Sequence, residues 1–277
     1  KHSFVMGDVK AFFEWMKEHE ATYRQKLKET EPMRLEWTKA ILDNVPRYDQ
    51  ERERAAKLRP IHPARAIADL RKVANNFDHR EKGLNSVLVV DSGAHTFFAG
   101  HHWDSWGPNE FLFLSTTGPM GYGIAMAIGA KLARPTRPCI CVVGDGSMLM
   151  HGLELRTAVK NSVALVVVVI NNGALGNVYL RFVEQNQSAA AELTKIDPPQ
   201  DWAYFAKSLG ADGIVIEDPE QLIKAYEKAF EYTTKERKPF VVDVRCNREF
   251  KPPNQNLGEQ ERRGLRGARR EYYVPHW

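Results

Sequence analysis

The sequence has few cysteines and no long apolar run. Its three cysteines, Cys139, Cys141 and Cys246, lie in or beside apolar stretches and show no Cys-x-x-Cys spacing. This pattern favours buried thiols in a reducing compartment and a fold held without disulfides or structural metal. No stretch approaches the roughly 20 apolar residues that cross a bilayer, and the first residues show no signal-peptide pattern. We therefore expect a cytoplasmic protein with no membrane partner.

The sequence also lacks a large excess of one charge. Its formal net charge is +4, and much of the positive excess lies in ERRGLRGARR at residues 261–270, whereas the centre is mixed in sign. A short basic tail of this kind is more often solvated or turned toward another subunit than bound to nucleic acid. We therefore expect no nucleic-acid partner.

Three zones differ in their hydrophobic pattern. Residues 1–59 carry apolar residues at helical spacing amid dense charge, which predicts a helical linker, broken near Pro32 and Pro46, at the end of a middle domain. Residues 60–248 alternate short β-branched runs with helical stretches and form the main domain. Residues 249–277 are polar and basic, too short to fold alone, and form a tail that is a possible lid.

The sequence pattern of the main domain predicts a doubly wound α/β fold. The predicted strands are 86–91, 138–145, 163–172, 211–218 and 239–246. The predicted helices are 62–75, 118–133, 152–160, 200–209 and 219–235. Strands that are apolar throughout and alternate with helices indicate a parallel sheet with helices on both faces. The helical linker precedes this sheet and the polar tail follows it.

Two motifs fall at the ends of consecutive predicted strands. Gly144-Asp145-Gly146 ends one strand and Asn171-Asn172 ends the next. Because ligands bind outside the carboxyl ends of parallel strands, both motifs should face one crevice. One carboxylate and one amide oxygen suit Mg²⁺, whose coordination a diphosphate would complete. Each motif alone is often only a turn, but their joint occurrence favours a metal and diphosphate site.

These motifs resemble a known family. GDGS and NN, at this spacing, are the signature of thiamine-diphosphate enzymes of the acetolactate synthase and pyruvate decarboxylase superfamily. STTGPMGYGIAMAIGAKLARPTRP at 115–138 is similar to the family's segment before the GDG strand. IHPARAIADLRKV and VLVVDSGAH resemble the usual opening of its C-terminal diphosphate-binding domain. The resemblance extends over roughly residues 60–247.

The resemblance implies a role for each residue that matches the family's motifs. The side chains of Asp145 and Asn172 and the carbonyl of Ala174 would bind Mg²⁺. The predicted contacts to thiamine diphosphate are His95, Thr96, Gly118, Met120, Gly144, Asp145, Gly146, Ser147, Asn172, Gly176 and Asn177. Met120 would wedge under the cofactor and bend it, and the carbonyl of Gly118 would accept from its 4′-amine. These two are the predicted catalytic residues, although an ordinary core position remains the alternative for Met120.

The implied activity is decarboxylation of a 2-keto acid and ligation of the carbanion to a carbonyl acceptor, as in acetolactate synthases. The chain would be the C-terminal portion or a subunit of this enzyme, dependent on thiamine diphosphate and Mg²⁺. One alternative is a non-oxidative 2-keto acid decarboxylase or carbon–carbon lyase of the same superfamily. Another, of a different class, is a non-catalytic diphosphate-binding regulatory subunit. The intact pair of Asp145 and Asn172 argues against that alternative.

The family also uses a glutamate on a separate pyrimidine-binding domain. No part of the sequence has the pattern of that domain, since residues 1–58 show no parallel-sheet strands. We therefore expect a complementary chain that carries the pyrimidine-binding domain and the catalytic glutamate, in a heterotetramer or larger assembly. The chain would be either a natural subunit or a cleavage product.

Overall fold

Two compact units divide the chain, Lys1–Arg47 and Tyr48–Trp277. The computed structural model describes residues 7–44, 49–79 and 82–252. The division falls a little before the boundary at residues 59 and 60 that the composition predicts, so that boundary stays a prediction. Most of the predicted tail, from residue 253 onward, lies outside the described residues.

The first unit contains three helices, α1 (Val9–Glu18), α2 (Glu20–Glu29) and α3 (Glu31–Asn44). The Asp8 carboxylate caps α1 by accepting from the Ala11 N–H at 2.9 Å. Pro32 is the second residue of α3, a position that tolerates proline because its N–H would be unpaired there. The predicted break near Pro32 is therefore the start of a helix, whereas Pro46 lies outside the described residues.

The second unit is an α/β domain, as its sequence pattern predicts. Its strands are β1 (Val87–Val90), β2 (Phe111–Leu112), β3 (Cys139–Gly144), β4 (Val166–Asn171), β5 (Asp212–Ile216) and β6 (Phe240–Arg245). Its helices are α4 (Asp49–Ala55), α5 (Pro63–Ala74), α6 (Ala94–His102), α7 (Gly123–Ala133), α8 (Asp145–His151), α9 (Glu154–Lys160), α10 (Gly176–Glu184), α11 (Ser188–Glu192), α12 (Trp202–Ser208) and α13 (Leu222–Glu236), with a 3₁₀ turn at Pro219–Gln221.

All strand pairs in the sheet are parallel, in the order β2-β1-β3-β4-β6-β5. The chain leaves β1 toward one edge of the sheet and returns to β3 on the other side of β1. Such a reversal of strand order opens a crevice at the carboxyl ends of the strands. In this domain the crevice therefore lies between the ends of β1 and β3.

Buried cores cover both faces of the sheet, which explains why its strands are apolar throughout. Leu88, Ile140 and Val168 belong to the core packed with α5 and α13. The alternate residues Val89 and Cys141 belong to the other core, packed with α7, α9 and α12. The three cysteines are buried and free, as the sequence predicts.

The helix before β3 starts later than the sequence predicts. The prediction places its start at residue 118, but α7 begins at Gly123. Gly118 and Gly121 have φ angles of 61° and 85°, in the left-handed region that favours glycine, so this stretch forms a turn instead. In the described part of the chain, no helix is both long and apolar enough to cross a membrane.

Candidate functional site

A cleft lies at the carboxyl ends of β1, β3 and β4. It is lined by Pro63, Ser92, Gly93, Ala94, His95, Phe98, Met120, Gly144, Asp145, Gly146, Ser147, Ile170, Asn172, Ala174, Leu175, Gly176, Asn177, Val178, Asn247 and Phe250. The cleft is open to solvent, and the space within and above it is about 550 Å³. The fold therefore brings together all the predicted site residues except Thr96 and Gly118.

Asp145 lies at the base of the cleft and is 3 % exposed. Its Oδ1 accepts from the Gly146 N–H at 2.8 Å. Its Oδ2 accepts from the N–H groups of Gly173 and Ala174 at 2.6 Å and 3.2 Å. Burial raises the pKa of this carboxyl to about 6, although the three backbone donors lower it. These bonds join the end of β3 to the turn after β4, which carries Asn172.

Asn172 and Ala174 bring neutral oxygens to the same turn. The Asn172 Oδ1 accepts from the Ala174 N–H at 3.1 Å, which fixes the orientation of the amide. A Cβ on Gly176 would collide with the Asn172 Nδ2, so glycine at the start of α10 leaves the amide in this orientation. The Asp145 carboxylate and the Asn172 amide oxygen therefore share a hydrogen-bond donor, the Ala174 N–H.

The oxygen set at Asp145 and Asn172 suits a small divalent cation. No group of three or more His, Cys, Asp or Glu side chains that could hold a metal is found among the described residues. A cation here would bind one carboxylate and neutral oxygens, a ligand set typical of Mg²⁺ that also binds a phosphate ligand. The chemistry of the cleft therefore fits a magnesium diphosphate.

Met120 and Gly146 pack closely at the wall of the cleft. A Cβ on Gly146 would lie 2.6 Å from the Leu175 Cδ2 and 3.3 Å from the Met120 Cε. A side chain at residue 146 would therefore require the Leu175 side chain to shift. Met120 itself is half-buried and presents its thioether to the cleft. This placement differs from that of a fully buried core methionine such as Met148, which is 2 % exposed.

His95 contributes a buried imidazole to the cleft. It is 5 % exposed, and its Nε2 is buried without a hydrogen-bond partner. Burial lowers the pKa of His95 to about 4, although the neighbouring Asp91 raises it. The ring is therefore neutral near pH 7 and can offer an N–H or a lone pair to a bound group. A buried polar atom without a partner needs a physical explanation, and a group bound in the cleft would supply one.

Thr96 and Gly118, the other two predicted site residues, do not line the cleft. The Thr96 hydroxyl donates to the Asp91 carbonyl at 2.7 Å and accepts from the Gly93 N–H at 3.0 Å, so it caps α6. Gly118 is exposed in the turn before α7. In this structure Thr96 stabilises the start of α6, which carries His95, and Gly118 lies beside Met120 on its turn.

Asp91 is a site residue that the sequence analysis did not single out. It follows β1 directly and is 1 % exposed. Its carboxylate accepts from Ser147 Oγ at 2.9 Å and from the N–H groups of Gly121 and Gly123 at 3.0 Å and 2.6 Å. Its position, an aspartate at the end of an apolar strand, is the same signal that identified Asp145.

Asn171, the first residue of the asparagine pair, has a supporting role. Its Nδ2 donates to the Asp243 Oδ1 at 2.9 Å and to the Gln200 carbonyl at 3.1 Å. Asp243 is fully buried on β6 and also accepts from the Trp202 N–H at 3.0 Å. Asn171 therefore joins β4 to β6 and α12, whereas Asn172 lines the cleft.

The chain matches a known family over more than half of its length. The profile described as "Thiamine pyrophosphate enzyme, C-terminal TPP binding domain" matches residues 91–244. A putative thiamine pyrophosphate-containing protein of Bacillus subtilis is 32% identical over 204 residues, 73% of this chain and 32% of that protein. A probable acetolactate synthase large subunit of Methanocaldococcus jannaschii is 29% identical over 189 residues, 67% of this chain and 30% of that protein.

Further relatives carry other names. A sulfoacetaldehyde acetyltransferase of Alcaligenes xylosoxydans is 33% identical over 202 residues, 70% of this chain and 30% of that protein. The solved structure of a thiamine diphosphate-dependent 4-hydroxybenzoylformate decarboxylase from Rhodococcus jostii has the same fold, with a TM-score of 0.58 at 24% identity, over 69% of this chain and 33% of that one. The chain thus spans about a third of the length of the curated relatives.

The family profile starts at Asp91 and ends in β6, so it includes the cleft residues from Ser92 to Val178. Thiamine pyrophosphate is the same compound as thiamine diphosphate. The predicted resemblance is therefore confirmed: this chain belongs to the thiamine pyrophosphate enzymes and carries their C-terminal thiamine-pyrophosphate-binding domain.

Proposed function

We propose that the cleft binds thiamine diphosphate through Mg²⁺, as part of an enzyme that decarboxylates a 2-keto acid and joins the remaining fragment to a carbonyl acceptor. The observation that carries this proposal is the pairing of Asp145 with Asn172 across adjacent strand ends. The Gly173 and Ala174 N–H groups bond to the Asp145 Oδ2, so the two motifs form one structural unit. Two unrelated turns would not be expected to share hydrogen bonds of this kind.

The residues of this chain would hold the metal and cofactor in distinct ways. The Asp145 carboxylate, the Asn172 amide oxygen and the Ala174 carbonyl would hold the ion. Residues of the cleft at the start of α8 and α10, namely Gly144, Gly146, Ser147, Gly176 and Asn177, would surround the diphosphate. His95 is proposed to contact the diphosphate with its unpaired Nε2. Met120 would support the ring portion, and Gly118 would offer its carbonyl to the 4′-amine.

When bound, thiamine diphosphate supplies the electron sink that makes cleavage next to a keto group possible. The contribution of this chain is to bind and orient the cofactor. Met120, Leu175 and Phe98 line the cleft with apolar side chains, which would limit water around the bound cofactor. We propose no proton transfer between a side chain of this cleft and the substrate.

An exposed apolar face next to the cleft is an argument for a partner domain. Leu149, Met150 and Leu153, on and after α8, are 57 %, 50 % and 67 % exposed. Apolar side chains that cluster on a surface usually mark an interface. We propose that this face contacts the pyrimidine-binding domain, supplied with its catalytic glutamate from outside these residues, in a heterotetramer or larger assembly. The share of the curated relatives that this chain spans supports the proposal.

Plain decarboxylation or lyase cleavage is the second candidate. The structural neighbour is named a decarboxylase, whereas the sequence relatives include acetolactate synthases and an acetyltransferase. The curated sequence relatives favour carboligation. Product analysis separates the two candidates. A decarboxylase releases the aldehyde whether or not a second carbonyl compound is added, whereas a carboligase consumes the added acceptor.

The metal assignment is tested by calorimetry on the complete protein. Asp145→Asn and Asn172→Ala should each abolish thiamine diphosphate binding in the presence of Mg²⁺ or weaken it by at least about 100-fold, with an unchanged circular dichroism spectrum. Asn161→Ala is the matched control, since Asn161 is exposed and its amide only caps α9 by donating to the Thr157 carbonyl at 2.8 Å. Unchanged affinity in both cleft variants would overturn the assignment.

A turnover measurement distinguishes an enzyme from a non-catalytic regulatory module. We expect the complete protein, with Mg²⁺ and thiamine diphosphate, to release carbon dioxide from pyruvate or a related 2-keto acid. The isolated chain should be silent, because the glutamate is proposed to lie outside it. Binding of the cofactor without turnover of any tested keto acid would favour the regulatory alternative.

A further inference from the structure

We propose that Asp91 is a positioning residue that holds the turn of Met120 against the start of α8. The inference rests on the proposed function, because it concerns how thiamine diphosphate is oriented. The Met120 turn is defined here as residues 118–123. It carries the residues proposed to contact the ring portion of the cofactor, whereas α8 carries Ser147, proposed to lie near the diphosphate.

The contacts of Asp91 reach both sides of the cleft. Its Oδ1 accepts from Ser147 Oγ at 2.9 Å and from the Gly121 N–H at 3.0 Å. Its Oδ2 accepts from the Gly123 N–H at 2.6 Å. A fourth donor, the Ser92 N–H, bonds to Oδ1 at 2.7 Å. One carboxylate thus joins the end of β1, the Met120 turn and the start of α8.

The burial of Asp91 makes these bonds mutually dependent. A carboxylate that is 1 % exposed is costly unless donors satisfy it, and each donor is in turn held by the carboxylate. Gly123 packs so closely that a Cβ there would lie 2.9 Å from the Asp91 Oδ2 and 3.0 Å from the Asp91 Cβ. The side chain of Asp91 therefore has little freedom to move without shifting the turn.

The Met120 turn depends on Asp91 more than α8 does. Ser147 belongs to a helix, whose backbone is held by its own hydrogen bonds. Residues 118–122 of the turn have no regular structure, and Gly118 and Gly121 have φ angles of 61° and 85°. Besides the bonds to Asp91, the Tyr122 hydroxyl links the turn to β1 by donating to the Val90 carbonyl at 2.6 Å. A change at Asp91 should therefore disturb the ring side of the cleft more than the diphosphate side.

The test compares two ligands on the complete protein. Asp91→Asn keeps the shape of the side chain but turns an amide donor toward one of the N–H donors. We expect thiamine diphosphate to bind at least about tenfold more weakly in this variant, in the presence of Mg²⁺. Inorganic diphosphate, which lacks the ring portion, should bind within about threefold of its wild-type affinity.

Asp78→Asn is the matched control. Asp78 is also a fully buried aspartate, but it lies before β1 at the opposite end of the strand. It accepts from the N–H and the hydroxyl of Ser86, each at 2.6 Å, and pairs with Arg71 at 3.0 Å. This variant should lower the melting temperature while both ligands keep their affinity, because Asp78 is remote from the cleft.

Gly123→Ala provides a second test if Asp91→Asn does not fold. Its Cβ would displace the Asp91 Oδ2 from the Gly123 N–H, and alanine is a good helix former at the start of α7. The same selective loss of thiamine diphosphate is expected. Equal losses of both ligands, no loss, or an equal loss in Asp78→Asn would overturn the role of Asp91. Failure of the wild-type protein to bind thiamine diphosphate would instead overturn the proposed function.

Discussion

At the scale of single residues, His95 is the ionisable group of the cleft whose pKa burial lowers furthest from its usual value, to about 4. An unfolded histidine titrates near 6.5, so below that pH the unfolded chain binds a proton that the folded chain does not. The stability contributed by the neutral ring is therefore complete above about pH 6.5. It is lost as the pH falls to about 4, by up to about 3 kcal/mol.

The pH dependence is measured as a difference between two proteins. Denaturant unfolding of the wild type and of His95→Gln at pH 7, 5.5 and 4.5 cancels the titration of groups that both proteins share. The stability difference, wild type minus variant, should fall as the pH falls through this window. Parallel pH profiles would show that His95 is not held in its neutral form by burial.

Met120 is the second residue-scale test, because its thioether lines the cleft while its neighbours form the turn. Met120→Ala removes contact with the ring portion and leaves the proposed diphosphate contacts. Thiamine diphosphate affinity should fall by about threefold and turnover by at least about tenfold. Met126→Ala is the control, since Met126 packs against the core under α7 and should change stability but not turnover. Equal small losses in affinity and turnover would favour an ordinary packing role for Met120.

At the scale of secondary-structure elements, the start of α8 packs closely against its neighbours at Gly146. A side chain there would collide with Leu175 and crowd Met120. Gly146→Ala should therefore weaken thiamine diphosphate binding by at least about tenfold, because the Leu175 side chain must shift within the cleft that it lines. The measurement is calorimetry with the complete protein in the presence of Mg²⁺.

Gly129→Ala is the matched helix control. Gly129 is exposed within α7 and has open space around its Cβ position. Since alanine stabilises a helix relative to glycine, this variant should gain about 0.5–1 kcal/mol in stability and bind the cofactor as the wild type does. A Gly146→Ala variant that also binds normally would contradict the close packing at α8.

At the scale of the whole molecule, the exposed apolar face at Leu149, Met150 and Leu153 should be covered in the assembled enzyme. The double variant Leu149→Asp and Leu153→Asp should shift the complete protein toward smaller species in sedimentation velocity, because burying a charge in an interface is costly. Leu132→Asp is the control: Leu132 is 62 % exposed, but it lies near the amino ends of the strands. An unchanged size distribution in the double variant would exclude this face as an interface.

Much of the fold was predictable from the sequence. A strand that is buried on both faces is apolar along its whole length, and such a run is visible in the sequence. Continuous apolar runs identified five of the strands, and the two-residue strand β2 was missed because Phe111 and Leu112 are too few to form a pattern. The helices α6, α8, α10 and α11 were absent from the predicted helices. The helical periodicity of α6 is weak, and α8 and α11 are only seven and five residues long, so the folded domain is needed to reveal them. The sequence of α10 is amphipathic, and its pattern was overlooked beside the Asn171-Asn172 motif.

The sequence by itself determined the parallel sheet, the family and the identity of the strand-end residues Asp145 and Asn172. These depend on spacing along the chain, which a linear pattern records directly. The tertiary structure decided which residues share the cleft. In the folded chain Thr96 caps a helix, Asn171 bonds to Asp243, and Asp91 lies between Ser147 and the Met120 turn. Those contacts join residues far apart in sequence, so they exist only once the strands have paired and the order of the sheet has reversed.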